Sequence, residues 1–196
     1  RLPWALAVNV LLAAVVYRAR LVDRAGAVHG SLLGVALWVF GGGEAFLMLL
    51  LFFLLGNVAT KVGYKTKLRE GTAQEKGGRR GAPHAWANAG AGALFALLLA
   101  GSPPAMQPLF LIAIVAAFAT ATADTLGSEI GQAYGRRTFL ITTFKPVPRG
   151  TDGAVSLEGT LAGIAGSFVL AIVAYSMHSI DWLGVPLIKH GKTFGV

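Results

Sequence analysis

The sequence predicts an all-α protein, a polytopic transmembrane bundle of about six spanning helices that forms one integral membrane domain over residues 1–196. Apolar residues make up 55% of the chain, charged residues only 13%, and the mean hydropathy is +0.63. Soluble domains carry about twice that share of charged residues. Two further observations support this fold class: long apolar stretches recur along the chain, and basic residues cluster in alternate connections.

Six apolar stretches approach the roughly 17 to 25 residues that cross a bilayer as a helix. They comprise residues 2–17, 28–40, 45–60, 85–100, 108–123 and 157–178, and the second is short. Small residues punctuate several of them, and the spacing of Gly159 and Gly163 is typical of helices whose backbones approach closely. We therefore expect a compact bundle.

The positive charge is unevenly distributed along the chain, whose formal net charge is +8. All but three of the 17 Lys and Arg residues fall in three clusters, which follow the first, third and fifth apolar segments. The clusters are Arg18, Arg20 and Arg24; Lys61, Lys65, Lys67, Arg69, Lys76, Arg79 and Arg80; and Arg136, Arg137, Lys145 and Arg149. This alternation places all three on one membrane face, which the positive-inside rule makes cytoplasmic, with the N-terminus outside.

The loop after the third segment is the first candidate for anion binding. Asn57, Lys61 and Lys65 are four positions apart, so they share one face if the third helix continues past the membrane boundary. A later stretch combines cations with glycines, which suits phosphate binding, although it is not a Walker loop. The candidate ligands are Asn57, Lys61, Lys65, Lys76, Arg79 and Arg80. The alternative is a topology signal that binds lipid headgroups.

The end of the fifth segment carries hydroxyls and carboxylates inside an apolar context. Thr120, Asp124 and Ser128 recur every fourth residue and share one helical stripe, whereas Glu129 lies about 140° around the helix from Asp124. Oxygen ligands of this kind suit Mg²⁺, which typically uses one or two carboxylates together with substrate phosphates. The alternative is that Asp124 pairs with a basic residue between helices.

A third candidate follows at residues 145–153, where two prolines and two glycines shape a loop that carries charge. Lys145, Arg149, Thr151 and Asp152 are its candidate ligands. Either Asp152 or Ser156 is expected to cap the last helix, whose positive end would face the same cavity. The alternative is a rigid loop in which Asp152 is only a cap. The chain has no Cys, and its His residues show no metal-binding spacing.

Residues 74–81, 123–131 and 146–156 resemble motifs of the membrane family named domain of unknown function ninety-two. That family includes the plant phytyl-phosphate kinase of tocopherol synthesis and the human transmembrane protein nineteen. The resemblance implies transfer of a phosphate from a nucleoside triphosphate, with CTP as the expected donor, to a phytyl or prenyl monophosphate. Two departures stand out: Glu75 precedes Lys76 in the first motif, and the family's closing segment would lie beyond Val196. Because the chain also begins with Arg1 rather than Met, we expect the sequence to be trimmed at both ends.

Together with the charge pattern, the resemblance implies catalytic roles for Asp124, Arg149 and Asp152, and Mg²⁺ binding by Asp124, Asp152 and Glu129. The cations would hold the phosphate chains on the cytoplasmic side, and Ser128 and Thr151 would assist. The expected partners are the isoprenoid monophosphate, the nucleotide and membrane lipid; nucleic acid is not expected, and oligomerisation stays open. The alternative function is a membrane transporter for an anionic solute, since intramembrane carboxylates and glycine-rich helices also occur there.

Overall fold

The computed structural model describes residues 2–182, apart from the side chains of residues 75, 76 and 178–182. Seven α-helices, three short helical turns and one small hairpin form this part of the chain. The elements are α1 (Leu2–Arg18), α2 (Arg24–Ala36), α3 (Gly42–Lys61), α4 (Tyr64–Arg69), α5 (Ala82–Gly101), α6 (Gln107–Tyr134), β1 (Thr138–Leu140), β2 (Ala154–Ser156) and α7 (Leu157–Trp182). The chain is therefore predominantly helical, as the sequence predicts.

Within the described residues, four helical stretches are long and apolar enough to cross a membrane, and α1 is a shorter apolar helix. The four stretches are Arg24–Lys61, Ala82–Gly101, Pro104–Tyr134 and Leu157–Met177. Each predicted segment lies within one of these stretches, within α1 or, for residues 157–178, within α7. The helix of the fifth segment, α6, continues beyond residue 123 to Tyr134 and includes both carboxylates of the 123–131 motif, as the helical stripe of Asp124 and Ser128 predicts.

The long stretch from α2 to α3 folds back on itself. A π-helical turn, Leu37–Gly41, joins the two helices, and Gly42 follows with a φ of 81°, which favours glycine. Val22, just before α2, pairs with Arg80, and the Arg80 guanidinium lies 5.3 Å from the ring centre of Phe52 in α3. A straight helix would separate Val22 from Phe52 by about 45 Å. The two predicted segments are therefore separate arms of one helical hairpin.

Close backbone contact holds α6 against α7. A Cβ atom on Gly163 would lie 2.7 Å from the backbone oxygen of Ala123, and one on Gly159 would overlap the backbone oxygen of Gly127. Only hydrogen fits at these two positions of α7, so these glycines serve helix packing. Elsewhere the core is apolar, and Phe52 of α3 meets Phe118 of α6 with ring centres 6.3 Å apart.

The hairpin that precedes α7 presents the 145–153 loop. Thr138 pairs with Ser156 and Leu140 with Ala154 in an antiparallel register. The Ser156 hydroxyl accepts a hydrogen bond of 3.1 Å from the backbone N–H of Gly159, so Ser156 is the residue that caps α7. The sequence predicted such a cap but not the two short strands.

Candidate functional site

The three basic loops meet at one end of the bundle. The loop before α2 pairs with the loop before α5 through the backbones of Val22 and Arg80. The loop after α4 contacts the hairpin loop, where Glu70 forms an ion pair with Arg149 and the Thr72 side chain lies against Gly150. The predicted convergence of the basic clusters is thus what the fold produces, and we name this region the basic end.

A buried ion pair lies just inside the basic end. The Lys67 ammonium of α4 is 2.5 Å from a carboxylate oxygen of Glu129 in α6, and the two side chains are 0% and 2% exposed. The Thr60 hydroxyl donates to the other carboxylate oxygen at 3.0 Å, and Lys67 also donates to the backbone oxygens of Thr60 (2.9 Å) and Ala59 (3.3 Å). Every charged atom is therefore compensated, which buried charges require.

Lys67 and Thr60 are functional candidates that the sequence reasoning missed. Lys67 is one of several cations in its loop, and no periodic pattern marks it as buried. The available signal was indirect: Glu129 lies about 140° from Asp124 around α6, so a buried Glu129 needs a cation from another element.

The expected common face of Asn57, Lys61 and Lys65 is wrong, because the third helix does not continue. It ends at Lys61, and Gly63 adopts a left-handed conformation with a φ of 62° before α4 begins. Asn57 is buried and donates to the backbone oxygen of Phe53 at 2.7 Å, whereas Lys61 and Lys65 are exposed. The two lysines can reach an anion, but Asn57 already has a partner within its own helix.

Arg80 enters the bundle from the loop before α5. Its guanidinium packs over the Phe52 ring and against Gly56, where a side chain would collide with it. Burial lowers the pKa of Arg80, and the negative charge of Glu129 opposes that shift. Arg79 points outward and is exposed. The side chain of Lys76 lies outside the described residues.

Asp124 and Ser128 lie on an open groove between α6 and α7. Both are exposed, and Gly153 of the hairpin loop and Thr160 of α7 line the same groove. No described residue pairs with the Asp124 carboxylate. The structure therefore places Asp124 with Ser128 and apart from Glu129, as the helical geometry predicts.

The hairpin loop holds Arg149 beside the loop after α4 rather than against Asp124. The Arg149 guanidinium pairs with Glu70 and donates to the backbone oxygen of Ala133 at 3.3 Å. Because Ala133 is nine residues beyond Asp124, these positions are about 14 Å apart along α6. Lys145, Thr151 and Asp152 are exposed, and Asp152 adjoins the Gly153 that lines the groove.

Among the described side chains, no three His, Asp or Glu residues are close enough together to hold a metal ion by themselves. Glu129 is enclosed by protein donors, so metal binding there would require it to leave Lys67. Asp124 and Asp152 are the accessible carboxylates. Their role as Mg²⁺ ligands stays a prediction.

The fold and its basic end define an integral membrane helical bundle whose charged loops converge beside buried and open polar sites. The chain belongs to the family described as integral membrane protein DUF92, whose profile matches residues 7–195. It is 42% identical over 187 residues to the uncharacterized membrane protein sll0875 of Synechocystis, covering 93% of this chain and 72% of that protein.

Two further relatives extend the comparison. Protein VTE6, chloroplastic, of Arabidopsis thaliana is 44% identical over 152 residues, covering 76% of this chain but only 45% of that protein. The uncharacterized membrane protein MJ0933 of Methanocaldococcus jannaschii is 34% identical over 166 residues, covering 84% of this chain and 66% of that protein. No solved structure matches the chain.

Proposed function

We propose that this protein is a membrane-embedded kinase that transfers a phosphate from a nucleoside triphosphate, CTP in particular, to a phytyl or prenyl monophosphate. The observation that carries the proposal is the meeting of three basic loops at one end of an apolar bundle. An isoprenoid monophosphate has a membrane-soluble chain and a phosphate that stays at the interface. An apolar bundle with a basic end suits both parts of such a molecule. The similarity to VTE6 and the family motifs support the same activity.

In this reaction an oxygen of the acceptor monophosphate forms a bond to the γ-phosphorus of the nucleotide. The bond from that phosphorus to the β–γ bridging oxygen breaks, and the nucleoside diphosphate leaves. A monophosphate is already largely ionised near pH 7, so no general base is needed. Catalysis then consists of positioning the reactants and neutralising charge.

The exposed cations of the basic end are suited to hold the polyphosphate. Lys61, Lys65 and Arg79 are accessible, and Arg149 is half-buried with its guanidinium anchored at the end of α6. The anchoring limits the entropy that a long side chain loses on binding an anion. Lys145 and Thr151, which are exposed on the hairpin loop, would contact the nucleotide.

The chemistry of the accessible carboxylates fits Mg²⁺, since that ion often takes one or two carboxylates and completes its shell with waters and phosphates. Asp124, free of described protein partners, and Asp152 would hold it. When bound, Mg²⁺ neutralises charge on the phosphate oxygens. Ser128 lies one helical turn from Asp124 on the same groove and can donate a hydrogen bond to a phosphate or to water.

The test is to reconstitute the protein in lipid nanodiscs with geranylgeranyl or phytyl monophosphate and each of the four labelled nucleoside triphosphates, with and without Mg²⁺. We expect isoprenyl diphosphate to form with Mg²⁺, fastest with CTP. Asp124→Asn should lower turnover by about 100-fold or more, the scale of losing one essential charge-stabilising group. Ser176→Ala, at an exposed position far along α7, is the control and should leave turnover unchanged.

Folded protein that forms no diphosphate with any nucleotide would overturn the proposal. Anion counterflow in proteoliposomes without nucleotide would instead support the transporter alternative.

A further inference from the structure

An apolar cleft runs from the basic end into the bundle between α1, α2, α3 and α5. Its walls include Leu12, Leu33 and Phe53. The lining extends along α5 from Gly81 to Ala89, about 12 Å. The cleft is therefore elongated and mostly apolar, with Asn9 and Ser31 in its lining, and one end lies beside the charged loops.

Arg80 supplies the charge at the mouth of this cleft. Among the described residues, no acceptor forms a hydrogen bond or ion pair with its guanidinium. In the described part of the chain, every fully buried side-chain nitrogen or oxygen has a hydrogen-bond partner. Because the guanidinium nitrogens of Arg80 have no such partner among these residues, they must reach open space. A half-buried guanidinium with free donors has a strong preference for a phosphate or carboxylate.

Neighbouring groups hold Arg80 in place. Its backbone is fixed by hydrogen bonds with Leu21 and Asp23, and its side chain rests between the Phe52 ring and the bare backbone of Gly56. The guanidinium is thus positioned before a ligand arrives, which reduces the entropy cost of binding.

We propose that this cleft binds the hydrocarbon chain of the phosphate acceptor and that Arg80 binds its monophosphate. The occupant is a lipid with one chain and a terminal phosphate, since the cleft is elongated and Arg80 is the one Lys or Arg among its described lining residues. This inference rests on the proposed function, because it assigns the acceptor of that reaction to a particular place. The acceptor cleft is distinct from the groove of Asp124, which lies between α6 and α7.

Gly30 of α2 offers a direct probe of the cleft. It lines the cleft, and a Cβ atom added there would meet no other atom within 4 Å. Gly30→Leu therefore fills the cleft without displacing backbone, and loss of a mid-helix glycine favours the helix. Gly90→Leu is the matched control, because Gly90 is a mid-helix glycine of α5 outside the cleft lining, where a Cβ makes only ordinary contact with the Trp86 ring.

The experiment measures binding of monophosphates to nanodisc-reconstituted protein without nucleotide. Gly30→Leu should weaken binding of geranylgeranyl monophosphate at least about tenfold and leave dimethylallyl monophosphate unchanged, while Gly90→Leu changes neither. Arg80→Gln should weaken both ligands, and Arg80→Lys should restore part of the affinity. Phosphatidic acid, with two chains, and inorganic phosphate should not compete effectively with geranylgeranyl monophosphate.

The outcomes separate the two proposals. Chain-length-dependent binding that responds to Gly30→Leu, without any phosphate transfer, would retain the cleft and reject the kinase. Phosphate transfer in which Gly30→Leu and Gly90→Leu behave alike for every chain length would retain the kinase and reject the cleft. Equal competition by phosphatidic acid would also reject it, because the site would then be a general lipid headgroup site.

Discussion

Replacing Lys67 by Met should destabilise the fold by about 3 to 5 kcal/mol, the cost of removing one partner of a buried ion pair. Lys67 is fully buried, and its ammonium lies 2.5 Å from Glu129. Without it, the one hydrogen bond left to the carboxylate from the described residues is that of the Thr60 hydroxyl, and the backbone oxygens of Ala59 and Thr60 lose the donor they share. The loss exceeds the net contribution of the pair, because a charge remains buried without compensation.

The assay is reversible unfolding of the purified protein in mixed micelles, followed by tryptophan fluorescence. Lys65→Met, an exposed lysine two positions earlier, is the control and should change stability by less than about 0.5 kcal/mol. The double variant Lys67→Met with Glu129→Met should recover most of the loss, since replacing both partners by apolar groups is often neutral. The reasoning would be refuted if Lys67→Met lowered the free energy of unfolding no more than Lys65→Met does. It would also be refuted if the double variant lost as much stability as the two single variants together.

Three further predictions follow from the packing and the caps. Gly163→Val should destabilise the protein by about 1 to 3 kcal/mol, because its side chain must displace the backbone of Ala123; an unchanged thermal midpoint would contradict this. Ser156→Ala should cost about 1 kcal/mol by removing the cap of α7, measured by the same unfolding assay, whereas Ser156→Asp should largely retain it. The ion pair of Arg149 and Glu70 is about one-third exposed, so a double-mutant cycle should give a coupling of only about 0.2 to 1 kcal/mol, and a larger value would show that the hairpin loop is more rigidly held than its exposure indicates.

Helical periodicity and charge distribution predicted where several candidate side chains lie in the fold. The alternation of the basic connections predicted that they lie at one end of the bundle. The spacing of Asp124, Ser128 and Glu129 predicted that Glu129 faces different neighbours from the other two residues. The first prediction depends on the charge of whole loops, and the second depends on the geometry within one helix. The cap at Ser156 was predicted for the same reason, since it is a local interaction.

The parts that the sequence did not predict depend on contacts between distant elements. The burial of Lys67 follows from the break at Gly63, which turns α4 back toward α6, and a Cβ on Gly63 would lie 2.6 Å from that of Ala133. No repeat in the sequence signals that contact. The cleft beside Arg80 likewise arises from four helices, and a composition of apolar residues cannot distinguish a lined cleft from a filled core.

The loop between α3 and α5 connects the two candidate binding regions. Lys67 fixes its first part to α6, Glu70 and Thr72 contact the hairpin loop, and Arg80 ends it at the mouth of the acceptor cleft. The cleft lies among α1, α2, α3 and α5, whereas the groove of Asp124 lies between α6 and α7. A phosphate at Arg80 and a nucleotide above the groove can therefore meet only over the basic end, where this loop and the hairpin loop touch. In the proposed kinase, the buried Lys67 pair holds that meeting point in place without itself contacting either substrate.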